Sequence, residues 1–186
     1  MVQEHRSPEK VAGTTIAGNA ARPRGKTLPQ PTSVSVLSAT AVVKSPPIPV
    51  VCAVIERKGR VLIARRPAHK HLGLKWEFPG GKVEPGESAE AAIIREIQEE
   101  LGCAIEIAYP LPPFAFDYGT VVIEMIPFVV HLAATSREPA VTEHSELAWA
   151  SIEELSLYDL APADLPVIAS YRTASRDRAH SGSGVI

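Results

Sequence analysis

Three glutamates within five residues, Glu96, Glu99 and Glu100 in REIQEELG, are the residues of this sequence best suited to chemistry. In an α-helix the spacings i, i+3 and i+4 place all three on one face, where like charges repel one another. Only Arg95, four residues before Glu99, offers partial relief. Two interpretations are open: a solvated charged surface, or a group of oxygen ligands neutralised by a divalent cation such as Mg²⁺ or Mn²⁺.

The apolar residues around these glutamates predict which side of the helix is buried. Ile94, Ile97 and Leu101 recur at helical spacing and predict the side that packs on the rest of the protein. Ala89 and Ala92 continue the acidic face toward the start of the helix with nothing larger than a methyl group. The sequence therefore predicts a face that is acidic at one end and sterically open at the other.

The remaining pattern consists mainly of strands. VVCAVIE and RVLIARR flank the turn RKG and predict a hairpin, and TVVIEMIPFVVHL is long and apolar enough for a central strand. Ser88 and Gly102 are a suitable N-cap and stop for the acidic helix, and DLPVIASYRT predicts a closing helix with Pro166 in its first turn. These elements predict an α/β (α+β) fold in which helices cover both faces of a mixed β-sheet.

Length, charge and cysteine content exclude several classes of protein. A chain of 186 residues suits one folded domain. A net charge of -2 and a pI near 6.3 lack the basic character of nucleic-acid binders, so no direct nucleic-acid binding is expected. The two cysteines have no CxxC spacing, which favours a reduced, cytoplasmic setting. No run approaches the ~20 apolar residues of a membrane span.

The two ends of the chain differ in composition from its centre. Residues 1–48 contain no Phe, Trp or Tyr and are rich in Ser, Thr, Pro and Ala, so a disordered extension is expected there. A targeting peptide is the alternative for this segment. Residues 174–186 are polar and predict a flexible tail. The folded domain is thus expected over residues 49–173.

The acidic helix lies in a larger pattern that resembles the Nudix box. Gly81 is followed after five residues by Glu87, then after seven by Arg95-Glu96, and then by IQEELG. The segments LIARRPAHKHLGLKWEFPGGKVEPGE and EHSELAWASIEEL resemble MutT-type members of this family over roughly residues 50–171. One departure is Cys103, where the family usually has a larger aliphatic residue. The resemblance implies a Nudix α/β/α sandwich with the box as its loop and helix.

The resemblance also implies an activity and a cofactor. MutT-type proteins hydrolyse (deoxy)nucleoside triphosphates, including oxidised ones such as 8-oxo-dGTP, to a monophosphate and pyrophosphate with Mg²⁺, or Mn²⁺. By this analogy Glu96, Glu99 and Glu100 are metal ligands, the carbonyl of Gly81 is a further one, and the protein is a monomer or homodimer. The alternatives are hydrolysis of a dinucleoside polyphosphate or nucleotide sugar, and a nucleotide-sensing domain without catalysis.

Further catalytic roles follow from the same resemblance. Glu87 and Arg95 are expected to form a pair that orients the ligands, although a glutamate also simply favours a helix N-terminus. Glu143 stands six residues before Trp149, where MutT-type proteins carry a loop glutamate, and is expected to act as metal ligand or general base. Glu99 is the rival base, and His144 and Glu146 lie close enough to Glu143 to compete with it.

Four residues are expected to contact the substrate. Arg66 and His71 lie on or after the second strand, where the subfamily meets nucleotide or phosphate. Phe78 either packs on the base or fills the core. Asp164 occupies the position at which the oxidised-guanine enzymes read the base with an asparagine. An ionised aspartate only accepts hydrogen bonds, which favours a base with an exocyclic amine, such as cytosine or guanine.

Overall fold

The computed structural model describes residues 46–181, which contain eight strands and two α-helices. Most of the expected N-terminal extension and residues 182–186 lie outside this range. A 3₁₀ turn, Glu154–Leu157, precedes the second helix. The elements are β1 Ile48–Arg57, β2 Arg60–Arg65, β3 Trp76–Glu77, β4 Gly80–Lys82, α1 Ala89–Leu101, β5 Ile105–Pro110, β6 Phe114–Asp117, β7 Val122–Leu132, β8 Glu146–Ala150 and α2 Asp164–Ser181.

The expected hairpin and the central strand are both present. β1 and β2 pair antiparallel around Lys58 and Gly59, whose φ values of 50° and 74° match the two positive φ angles of a type I′ turn. β1 also pairs in parallel with β7, and β7 carries β5 and β6 on its other side. One parallel pair among antiparallel pairs makes the sheet mixed, with β7 in its interior, as predicted.

Both faces of the sheet are covered. Consecutive residues of β1 alternate between two apolar clusters, because successive strand side chains point to opposite faces. Cys52 and Val54 pack in the cluster that contains Val167 of α2. Val51, Ala53 and Ile55 pack in the cluster that contains the buried residues of α1. Each helix therefore covers one face, which confirms the sandwich.

The ends of α1 agree with the sequence, and its buried side agrees in part, because Ile97 and Leu101 are fully buried as expected. Ser88 accepts a hydrogen bond from Ala91 N, and Gly102 ends the helix at a φ of 64°. Ile94, expected to be buried, is 47% exposed, and Ala92 and Ile93 are fully buried instead. The side that packs on the sheet is centred on Ile93, not on Ile94. This rotation turns part of the acidic face toward the protein.

The closing helix extends past the expected domain boundary at residue 173. α2 continues to Ser181, so residues 174–181 are helical where a flexible tail was expected. Ala174 packs against the core, and the Arg178 guanidinium lies 4.2 Å from the centre of the Tyr109 ring. These contacts anchor a stretch whose polar composition suggested no packing. No helix in residues 46–181 has the length and apolar composition to cross a membrane.

The other end of the domain also begins slightly earlier than expected. Ile48, assigned from the sequence to the extension, is the first residue of β1 and pairs with Ile123 of β7. Its β-branched side chain suits a strand. The boundary at residue 49 is therefore one residue too late.

Candidate active site

Two consecutive glycines bring the backbone against the acidic helix. Gly80 N donates a hydrogen bond to Glu100 Oε2 at 2.9 Å. Any Cβ at Gly81 would lie 2.4 Å from the carboxyl carbon of Glu96. At Gly80 a Cβ would lie 2.2 Å from the carbonyl oxygen of Val51. Only glycine permits this close approach at both positions.

The three glutamates of α1 have different environments. The side chain of Glu96 is 15% exposed and that of Glu99 is 55% exposed. Glu100 is buried, and burial, with the negative charges of Glu77 and Glu96, raises its pKa to about 7, against opposing effects of His144 and the Gly80 N–H. A rise of this kind means that the buried carboxylate lacks sufficient positive charge nearby.

Arg95 forms hydrogen bonds with several residues of the acidic helix and of the segment before it. Its Nε and Nη2 atoms donate to the two oxygens of Glu87 at 3.0 and 2.9 Å. Nη1 donates to Glu96 and to Glu99, and Nη2 also donates to the carbonyl of Lys82. The same guanidinium lowers the pKa of Glu87. The structure thus brings Glu87 and Arg95 together, and the pair holds two of the candidate ligands.

The donor set on this face suits a hard divalent cation. Within residues 46–181 no three carboxyl, imidazole or thiol groups already surround one centre. The candidate ligands nevertheless offer oxygen donors, which magnesium and manganese prefer and zinc does not. Burial, and to a smaller extent the charges of Glu77 and Glu96, raise the pKa of Glu100, and a cation bound beside it would favour its ionised form. The residues present therefore fit Mg²⁺ or Mn²⁺.

Replacing Arg95 with Lys should destabilise the protein by about 1–3 kcal/mol, because one ammonium group cannot reproduce five hydrogen bonds of a planar fork. Urea denaturation measures the change. Arg57→Lys is the matched control, since Arg57 also makes two bonds to one carboxylate, that of Glu138, which is 77% exposed. The control should change stability by less than about 1 kcal/mol. Equal losses in both variants would contradict a special role of Arg95.

The loop before β8 packs on the end of α1. Thr142 Oγ1 donates to the carbonyls of Glu99 and Glu100, and Ala140 N donates to Leu101 O. Glu143 follows directly, and its carboxylate pairs with Lys70 Nζ at 2.8 Å, which lowers its pKa. The structure thus anchors the loop of Glu143 to the acidic helix, while the Glu143 carboxylate itself is bound to Lys70.

Near this loop the partly buried Glu77 contacts the buried His144, a contact that was not predicted from the sequence. Glu77 forms two bonds to Arg66 Nη1, at 2.8 and 2.6 Å. His144, which is 8% exposed, places Nε2 3.2 Å from Glu77 Oε1. The position of Glu77 between Trp76 and Phe78 was a signal in the sequence, because a carboxylate placed among apolar residues is expected to have a charged partner. Nothing in the sequence distinguished His144 from other loop residues except its place beside Glu143.

A small cavity lies beside the start of β4. Its volume is about 100 Å³, and Gly80 itself is part of the wall. Asp164 is 4% exposed and accepts a long hydrogen bond from Phe78 N at 3.4 Å. Burial, followed by the charge of Glu77, raises the pKa of Asp164. The wall is formed by Val50, Val51, Cys52, Leu72, Glu77, Phe78, Gly80, Tyr118, Ile123, Met125, Ala161, Ala163 and Asp164.

Of the other predicted substrate residues, Phe78 lines this cavity, whereas Arg66 and His71 contact residues of its wall. Phe78 also belongs to the core cluster. Arg66 is bound to Glu77, and its Nε donates to the carbonyl of His71 at 2.6 Å. The His71 ring meets the edge of Tyr118, a residue of the wall. A larger opening, about 520 Å³, lies at α2 and is lined by none of the predicted site residues.

Known proteins share this fold and this sequence pattern. Residues 46–171 match the family described as NUDIX domain. CTP pyrophosphohydrolase of Escherichia coli (strain K12) is 38% identical over 124 residues, which cover 67% of this chain and 90% of that protein. For 8-oxo-dGTP diphosphatase of the same strain the identity is 34% over 112 residues, covering 60% and 85%.

Solved structures agree with these sequence relatives. The E. coli ORF135 protein has a TM-score of 0.61 at 36% identity, covering 70% of this chain and 92% of that chain. A MutT NUDIX hydrolase from Burkholderia pseudomallei has a TM-score of 0.58 at 32% identity, covering 68% and 98%. The match extends over most of the chain and includes the complete box on α1, so this protein belongs to the Nudix family and is a MutT-like pyrophosphohydrolase.

Proposed function

We propose that the protein uses Mg²⁺ to hydrolyse a nucleoside triphosphate, with cytosine as its preferred base, to the monophosphate and pyrophosphate. The observation that carries this proposal is the position of Gly80, which binds Glu100 through its N–H and also lines the cavity that contains Asp164. A nucleotide could therefore place its phosphates at the acidic face and its base in the cavity, with Gly80 between the two sites. Removal of damaged or surplus nucleotides is the corresponding role.

The chain's own residues have separate tasks in this reaction. Bound at Glu96, Glu99, Glu100 and the Gly81 carbonyl, Mg²⁺ would neutralise the phosphates and make a water more acidic. Arg95 holds Glu96 and Glu99 in place through Nη1. Glu99, 55% exposed, would take the proton of the water that attacks phosphorus, while pyrophosphate leaves.

Glu143 is the second candidate for the general base. It lies one residue after Thr142, whose hydroxyl is bonded to the last turn of α1. To act on a water or a metal, its carboxylate would have to leave Lys70. Glu99 is already on the acidic face, and we therefore assign it the larger part of proton transfer.

The cavity supports the choice of base. Its volume of about 100 Å³ is below the ~300–1,000 Å³ of whole-ligand pockets, so it suits one small ring of a nucleotide. Asp164 and Glu77 both offer oxygen acceptors there, and an exocyclic amine offers the matching donors. The relatives named for CTP and for 8-oxo-dGTP leave both substrates open, and the single ring of cytosine fits the smaller space better.

A panel of substrates tests this proposal. The panel contains CTP, dCTP, UTP, dGTP, 8-oxo-dGTP, a dinucleoside polyphosphate and a nucleotide sugar, assayed with Mg²⁺ for pyrophosphate and for orthophosphate. We expect pyrophosphate from CTP and dCTP at the highest kcat/KM. A preference for the dinucleoside polyphosphate or nucleotide sugar would replace the proposed substrate. If every compound binds and none is cleaved, the protein is a nucleotide-sensing domain.

Replacing Asp164 with Asn should change both stability and base selectivity. Because the pKa of Asp164 is raised, ionisation of its carboxyl group lowers the stability of the folded protein. This loss grows as the pH rises above 3.8, the ordinary pKa of an aspartate. The variant should therefore be the more stable protein at pH 8 and equal to the parent near pH 4. It should also hydrolyse UTP better relative to CTP, increasingly so at higher pH, because Asn always offers a donor. Identical profiles would remove Asp164 from the base site.

A further inference from the structure

We propose that His144 is a positioning residue that aims Glu77 at the base cavity and thereby determines the selectivity for an amino-substituted base. This inference rests on the proposed function and assigns a residue outside the box to it. His144 lies in the loop that packs on α1, whereas Glu77 lies on β3 and lines the cavity. The imidazole thus connects the metal-site loop with the wall of the base site.

The hydrogen bonds of Glu77 leave one acceptor position for a ligand. An ionised carboxylate has about four acceptor positions. Arg66 Nη1 contacts both oxygens, and His144 Nε2 contacts Oε1. These three contacts leave about one acceptor position, on Oε2, and Glu77 lines the cavity in which a base would meet it. Loss of the imidazole would remove one of the two groups that determine the orientation of Glu77.

The imidazole itself shows that its contact with Glu77 matters more than its packing. Glu77 is ion-paired with Arg66 and therefore accepts hydrogen bonds, so His144 Nε2 donates its hydrogen to Glu77. Nδ1 is buried and has no hydrogen-bond partner within residues 46–181. An unpartnered buried polar atom destabilises a fold, and an apolar side chain of the same size would avoid this loss.

The surrounding loop fixes the position of the imidazole. Ser145 N and Oγ both donate to the carbonyl of Arg65, at 2.8 and 3.1 Å. On the other side Thr142 is bonded to the end of α1. Beyond Glu77, Arg66 donates to the carbonyl of His71, whose neighbour Leu72 lines the cavity. A change at His144 is therefore expected to reach the cavity wall through Glu77 and Arg66.

Binding of CMP and UMP, measured by calorimetry without metal, tests the inference independently of catalysis. Glutamine carries its Nε2 as many bonds from Cβ as histidine does, so His144→Gln keeps the donor to Glu77. His144→Asn shortens the side chain, and His144→Leu fills the space without a donor. We expect the preference for CMP over UMP to fall about tenfold in the Asn and Leu variants and by less than about threefold in the Gln variant.

Kinetics and a control variant complete the test. For CTP the Asn and Leu variants should raise KM with little change in kcat, because Glu77 contacts the base and not the reacting phosphorus. His131→Asn makes the same change at a side chain that is 54% exposed, and should alter nothing. If the folded Leu variant keeps the parental preference for CMP, the inference is wrong. If that preference depends on His144 but the parent releases no pyrophosphate, the inference stands and the proposed function fails.

Discussion

Replacing Glu99 with Gln will lower Mg²⁺-dependent pyrophosphate release by about 10²–10⁴-fold, the contribution of a general base, and will leave the fold intact. The side chain is 55% exposed, and among the described residues its carboxylate is hydrogen-bonded to Arg95 alone. Removing its charge therefore disturbs no packing. The amide neither accepts a proton from water nor binds Mg²⁺ as a carboxylate does. Steady-state kinetics with CTP measure the loss of activity, and thermal unfolding measures whether the fold is intact.

Glu90→Gln is the matched control for this experiment. Glu90 lies in the first turn of the same helix and is exposed, so it undergoes the same chemical change away from the acidic face. We expect its activity to stay within about twofold of the parent. If Glu99→Gln retains the parental turnover, Glu99 is neither base nor essential ligand, and Glu143 becomes the candidate to examine.

Gly81→Ala will lower kcat by about 10²-fold while changing stability little. The new methyl group would lie 2.4–2.5 Å from the carboxyl atoms of Glu96, which must move away. The end of a flexible side chain moves at little expense to the fold, but a displacement of about 1 Å in a catalytic group is enough for a loss of this size. Titration with Mg²⁺ by calorimetry should show weaker binding.

The neighbouring Gly80→Ala should have the opposite profile. Its methyl group would lie 2.2 Å from the backbone carbonyl of Val51, and the φ of Gly80, 151°, is one that alanine rarely adopts. A backbone contact cannot be relieved by a rotamer change, so we expect a loss of stability of about 2 kcal/mol or more. Equal stability and equal activity in both alanine variants would show that Gly80 and Gly81 do not approach Val51 and Glu96 this closely in solution.

Much of the domain was predictable because local rules determine it. The hairpin turn at Lys58-Gly59 needs two positive φ angles, and the limits of α1 follow from Ser88 and Gly102. The pairing of Glu87 with Arg95 was implied by the resemblance to the Nudix box, and the structure shows it as a contact between the Arg95 side chain and Glu87. In each case the interacting residues are close in sequence.

The errors arose where distant segments decide the outcome. Ile93 and Ile94 are equally apolar, and only the position of the sheet shows that Ile93 packs and Ile94 is exposed. The polar composition of residues 174–181 predicted a flexible tail, yet this segment is helical and the Arg178 guanidinium packs on the ring of Tyr109 in β5. The network of Glu77 with His144 joins residues 67 positions apart. Periodicity along the chain contains no information on such pairs.

The sequence by itself determined the chemistry: which residues carry negative charge on one helical face, which glycines and which arginine accompany them, and hence the family. The spacing of these residues along one helix and the segment before it is enough to predict which of them lie close together. Only the tertiary structure decided the environment of each group. In the fold Glu100 is buried and accepts a hydrogen bond from Gly80 N, and Glu143 forms an ion pair with Lys70. Asp164 lines a cavity whose wall also includes Gly80. The reason is that burial and electrostatic strength depend on what other segments bring to a residue, and the chain's own spacing does not specify those neighbours.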